Sequence, residues 1–112
     1  MARTPEGAVK AQVIAILKSL DAWYFFPASG PFGRSGIPDV VGCLAGRFFA
    51  IECKANGNKA TALQEREIEK IKIAGGFALV VDETNVGRLK AALELGVRES
   101  ACRILMEGVD DE

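Results

Sequence analysis

Histidine is absent from this chain, which removes Ser-His and Cys-His catalysis, histidine general bases and most zinc sites. Chemistry is left to carboxylates, lysines and metal ions that prefer oxygen ligands. Cysteine is scarce. Cys43, Cys53 and Cys102 are odd in number, lie in apolar segments and lack C-x-x-C spacing, so they are expected to be buried reduced thiols, not a disulfide framework or a zinc site. No apolar run approaches the roughly 20 residues of a membrane span. The opening MARTPEGAVK has no apolar core of a secretory signal, so the expectation is a soluble, cytoplasmic protein with no membrane partner. Internal repeats, linkers and low-complexity segments are also missing.

Charge of one sign is not in excess: the formal net charge is −1. Its distribution is uneven. Glu107, Asp110, Asp111 and Glu112 form an acidic C-terminal tail over 107–112, which leaves 11 acidic against 14 basic residues in 1–106. That body, about +3, is expected to be one domain and suits a DNA or RNA partner, although solvated lysine-rich faces give the same count. At 112 residues and 49% apolar content, the chain can build one core without disulfides or a structural metal.

Thr4-Pro5-Glu6 reads as a helix start, with Thr4 as N-cap and Pro5 at N1. Val9, Val13, Ile16, Leu17 and Leu20 then recur at helical spacing to about Asp21. Glu6 continues the stripe of Val9 and Val13; it is either a first-turn acid favoured by the helix dipole or a site residue. Ala22 to Phe26 suits a strand or an extended segment, and PASGPFGRSG over 27–36 must be a loop. Ser29 and Arg34 in that loop are candidates for contact with a substrate phosphate, although Arg34 reads somewhat more readily as an ordinary solvated arginine.

The segment from Gly36 to Lys54, GIPDVVGCLAGRFFAIECK, holds the chemistry. Two apolar runs, Val40 to Leu44 and Phe48 to Ile51, flank a turn at Ala45-Gly46 and read as a β-hairpin. Strand alternation places Glu52 and Lys54 on one face roughly 6.6 Å apart, with Cys53 on the other. Asp39 opens the first strand after Pro38, and the hairpin returns it beside Glu52. Two carboxylates and one ammonium then meet, as binding of a hard divalent cation beside an anionic substrate requires. After the polar loop ANGNKA, which contains Lys59, Thr61 opens a second helix to about Ala74. Gln64 fits a capping box with Thr61 and also continues the stripe of Ile68 and Ile71. Gly75-Gly76 ends that helix, FALVV over 77–81 reads as a central strand, and a right-handed parallel crossover is implied. Asp82 to Asn85 should cap a third helix from Val86 to Leu95. Residues 97–106 fit either a strand or a helix.

An acid on a helix, then Gly36-Ile37-Pro38-Asp39, then Ile51-Glu52-Cys53-Lys54, a glycine- and lysine-bearing loop, Gln64 and GGFALVV resembles the VRR-NUC family of the PD-(D/E)XK nuclease superfamily, in its small stand-alone form. The resemblance spans about Glu6 to Leu95. It implies an α/β fold with a restriction-endonuclease-like core: N-terminal helix, β-hairpin, then helix-strand-helix on a mixed central sheet. It also implies a metal-dependent endodeoxyribonuclease with Mg²⁺ or Mn²⁺ held by Asp39, Glu52 and the backbone carbonyl of Cys53. Glu6 would hold a second ion, directly or through water. Lys54 would orient the attacking water and offset phosphate charge, and Gln64 would fix water or phosphate geometry. Ser29, Arg34 and Lys59 are the expected DNA contacts. Branched DNA such as four-way junctions is the implied substrate, a homodimer the implied assembly, with Trp23 to Phe26 as interface or core, and a phage the implied source. The loop NGNK and the helix opening TALQ are generic, which leaves substrate preference open.

Two other readings stand beside this one. A non-cleaving nucleic-acid binder could keep the fold, although carboxylates facing phosphates give such a protein nothing. A hydrolase of small phosphoesters fits less well, since the chain lacks a phosphate-cradling glycine motif and a short fold offers little enclosure.

Overall fold

The computed structural model describes residues 4–28 and 33–96. Ser29, Cys102, the segment 97–106 and the acidic tail lie outside them. Helix α1 runs Pro5–Ser19, with the Thr4 hydroxyl accepting from the Gly7 amide and Pro5 in the first turn. Fifteen residues make a marginal helix in isolation. Its stability comes from Val9, Val13 and Leu17, which are buried on one stripe.

Strands β1 (Trp23–Phe25), β2 (Val40–Leu44), β3 (Arg47–Cys53) and β4 (Phe77–Val81) form one sheet in that order. β1 and β2 pair antiparallel, β2 and β3 pair antiparallel, and β3 and β4 pair parallel. Helix α2 (Ala62–Ile73) makes the crossover between the parallel pair. The hairpin turn is Ala45-Gly46, both residues with positive φ, the two-residue geometry that matches strand twist.

The sheet has different cover on its two faces. Val40, Phe49, Ile51 and Cys53 pack with the α1 stripe and with Val86, Leu89 and Leu93, while Val41, Ala50 and Ala78 pack against Ile68 of α2. The result is a mixed α/β fold compatible with a restriction-endonuclease-like core. β3 has a neighbour on both sides and five consecutive buried residues, from Phe49 to Cys53, so whatever the sequence places at position 52 is drawn into the interior.

Three expectations differ from the structure. β4, read as a central strand, ends the sheet among the described residues, paired with β3 on one side, and its Val80 is 37% exposed. Cys43 is exposed, unlike the buried Cys53. It shares a face with Val41, but lies between Trp23 and Phe48, both exposed, where α2 no longer covers the sheet. The third helix starts as a 3-10 turn at Val86–Arg88, with α3 following over 89–96. Asn85 does not cap it: the Asn85 side chain turns back, accepting from the Asp82 amide and donating to the Val80 carbonyl.

Arg47, at the start of β3, ties both helix ends at that side of the sheet. Its Nη1 donates to the Gly96 carbonyl at 2.8 Å, its Nε to the Gly75 carbonyl at 3.3 Å, and its guanidinium lies 5.5 Å from the Phe77 ring centroid. Arg47→Met should lower unfolding free energy in urea by about 1–3 kcal/mol, the worth of charge-assisted bonds to backbone carbonyls, with the metal response of the far end of β3 unchanged.

Candidate active site

The register Val40↔Ile51 makes Asp39 and Glu52 the next pair along the hairpin, on the α2 face. Asp39 is fixed there by its side chain: Oδ2 accepts from the Cys53 amide at 2.8 Å. This bond extends the hairpin by one rung with a carboxylate in place of a peptide carbonyl. On the other side of β3, the Lys54 amide donates to the Val81 carbonyl at 2.9 Å, so the Glu52-Cys53-Lys54 backbone is held from both directions.

Glu52 is 2% exposed. Its Oε2 accepts from Gln64 Nε2 at 2.8 Å and lies 3.4 Å from Lys54 Nζ. Its Oε1 is buried with no hydrogen-bond partner among the described residues. Burial, and next the negative charge of Asp39, push the Glu52 carboxyl up to about 7, against the opposing pull of Lys54. An ionised carboxylate here is short of one positive partner.

Gln64 serves two purposes at once. Its Oε1 accepts from the Thr61 amide at 2.8 Å while the Thr61 hydroxyl accepts from the Gln64 amide at 3.2 Å, completing a capping box. The same side chain's Nε2 holds Glu52. The cap fixes the amide, and the fixed amide orients the carboxylate.

Cys53 contributes its backbone. Its thiol is buried and, through burial first and Asp39 second, pushed up to about 12, so it stays protonated and inert as a nucleophile. Glu6 is half-buried in the first turn of α1 and is the weakest of the influences acting on Glu52. Among the described residues no three His, Cys, Asp or Glu side chains cluster closely enough to hold an ion together. The structure brings together Asp39, Glu52, Lys54 and Gln64, whereas Glu6 reaches them only through a weak charge effect on Glu52. Any ion would rest on two carboxylates and the Cys53 carbonyl, and the unpartnered Glu52 Oε1 fits that role.

The expected nucleic-acid contacts are placed less uniformly. Arg34 is exposed, with Nε 3.2 Å from the Oε1 of Glu67, a carboxylate on α2 that is 5% exposed. Lys59 is exposed in the polar loop, where its charge is felt at Asp82. Two residues went unread in the sequence. Glu67 lies three positions after Gln64, so helical spacing alone carried the signal. Lys10 follows Glu6 by four, on the same side of α1, and its Nζ is 3.9 Å from Asp39 Oδ1. The loop before Asp39 is seated on α2 at Gly36, whose φ is +80° and where an added Cβ would fall 2.5 Å from the Leu63 carbonyl oxygen, a position open only to glycine.

A carboxylate raised on folding makes a contribution to stability that is complete below pH 4.5 and is lost as pH rises through about 7. In chelator, wild-type unfolding free energy should fall across that window by up to about 3 kcal/mol on account of Glu52. Glu52→Gln should lack this part of the fall and be the more stable protein at pH 8, measured by urea unfolding.

No family model matches the chain. The chain is similar to a protein of Acyrthosiphon pisum secondary endosymbiont phage 1 that bears the name "Putative nuclease p44", with 34% identity over 62 residues, 54% of this chain and 67% of the relative. A carboxylate pair at a sheet end, with lysine and glutamine on one of the acids, suits a nucleic-acid hydrolase, the activity in that relative's name. With that identity over two thirds of the relative's length, the chain belongs to the same family as this phage protein.

Proposed function

We propose that the protein is a metal-dependent endodeoxyribonuclease of the VRR-NUC type in the PD-(D/E)XK superfamily, acting on branched DNA such as four-way junctions. The observation that carries this reading is the state of Glu52: buried, held on one oxygen by Gln64 and Lys54, unpartnered on the other, and beside a second carboxylate. Such an arrangement costs stability unless a cation completes it. Asp39, Glu52 and the Cys53 carbonyl would hold Mg²⁺ or Mn²⁺, both of which suit oxygen ligands. When bound, the ion supplies Lewis-acid activation of water and charge stabilisation at the phosphate.

The chain's own groups do the rest. Lys54, 13% exposed and anchored by Glu52, presents its ammonium where negative charge builds on the phosphate and orients the attacking water. Gln64 keeps the Glu52 carboxylate in one rotamer, so no reorganisation is needed at the moment of reaction. Cutting two strands of a junction needs two such sites, so a second copy of the chain is the proposed partner. Trp23 and Phe25, 65% and 47% exposed on β1, offer it an apolar surface.

The test is cleavage of a panel of four-way junctions, flaps and linear duplexes in Mg²⁺ or Mn²⁺. Wild type should cut. Lys54→Ala should lose roughly 100- to 1,000-fold in kcat, as for removal of one stabilising donor, and Gln64→Ala roughly 10- to 100-fold, as for a group that orients a ligand. Glu52→Ala should abolish cleavage while retaining or tightening binding. Intact substrates throughout, with folded wild type, would sink the proposal in favour of a binder. A second readout is thermal: Mn²⁺ should raise the Tm of wild type at pH 8 and leave Glu52→Gln unmoved.

A further inference from the structure

Beside the carboxylate pair lies a second feature that the hydrolytic reading does not use. A cleft of about 390 Å³ opens between α1 and the loop leading to Asp39, lined by residues that include Lys10, Phe26, Arg34, Ser35 and Asp39. Asp39 belongs to both the cleft and the site, so the two are continuous. The volume falls near the lower end of small-ligand sites, roughly 300–1,000 Å³, room for one nucleotide-sized group and far too little for a duplex.

Its cations are placed differently from ordinary surface lysines and arginines. Lys10 Nζ is 3.9 Å from Asp39 Oδ1 and 5.8 Å from the Phe26 ring centroid. Its side chain is 37% exposed, so this long pair contributes little on its own. Asp39 already commits Oδ2 to the Cys53 amide. Once its remaining charge is taken up by a cation, as the proposed function requires, Lys10 has lost its counter-charge and favours an anion. Arg34 stands on the other wall with Nε anchored to the buried Glu67 and a side chain 62% exposed, a preset guanidinium facing water. Phe26, 46% exposed, adds an aromatic face to the same cleft. Two cations and an exposed ring along one cleft are the elements with which proteins track a single nucleic-acid strand, phosphates on the cations and bases on the ring.

We propose that this cleft is a subsite for the phosphodiester backbone of a single DNA strand, in which Lys10 and Arg34 hold the phosphate next to the one at Glu52. The proposal rests on the hydrolytic reading for its orientation, but its test does not. Binding of a short fluorescein-labelled single-stranded DNA is followed by anisotropy from 50 to 200 mM salt, without divalent metal and again with Ca²⁺. Lys10→Met should weaken binding about 5- to 10-fold at low salt and reduce the slope of log K against log salt by roughly 0.7, the value for one phosphate contact to a single strand. Lys10→Arg should restore both. Arg34→Gln, at an exposed position, should give the same two changes if Lys10→Met proves unstable, which circular dichroism would report.

Wild-type affinity and salt slope in folded Lys10→Met and Arg34→Gln would overturn the subsite. In cleavage assays the subsite predicts a raised KM with kcat retained for Lys10→Met. Cleavage by wild type with KM unchanged in that variant removes the subsite and leaves the nuclease standing. Binding with a Lys10-dependent salt slope but no cleavage by wild type keeps the subsite and removes the nuclease.

Discussion

A carboxylate in the interior with one oxygen satisfied and, among the described residues, one bare is the constraint on which the architecture turns. Glu52, the next-to-last residue of β3, is drawn into the interior because that strand is paired on both sides and covered on both faces. A neutral side chain there would suit the core better, and a solvent-exposed acid would suit stability better. The position is therefore a stability cost held in place by the surrounding structure. That pattern is characteristic of a group whose natural state includes a further partner.

The surroundings are arranged to hold that group still. Gln64 belongs to a capping box, which takes its rotamer from the start of α2 and so from the helix itself. Asp39 is bound to a backbone amide of the same strand that carries Glu52. Gly36 lets the preceding loop lie against Leu63, and Arg34 ties the loop to Glu67 one turn further along the same helix. Helix α2 thus organises both the carboxylates and the approach to them, and a shift of its first turn would disturb all of them together.

Much of this was legible in the residues and some was not. The hairpin declares itself through alternation and the Ala45-Gly46 turn, and the register these imply places Asp39 opposite Glu52. Helical periodicity gave α1 and α2, because each has a clear apolar stripe and a capping residue. Cys43 was misread because apolar neighbours in sequence do not reveal where a helix stops covering a sheet. The segment Asp82 to Asn85 reads as a cap for the third helix, yet at Asn85 the end of β4 offers the side chain better partners. Lys10 and Glu67 escaped notice for a common reason: each looks like an ordinary helical charge until the fold shows what stands opposite.

β3 has unlike ends. At Arg47 a single guanidinium fastens the C-terminal carbonyls around two helices, whereas at Glu52 and Lys54 the chain carries charge under cover. Helix fastening is concentrated at one pole and buried charge at the other, about 17 Å away along a strand of this rise. A lineage could therefore remodel the loops around the charged pole to suit new nucleic-acid shapes while the opposite pole keeps the fold intact, and the two properties can drift with little mutual interference.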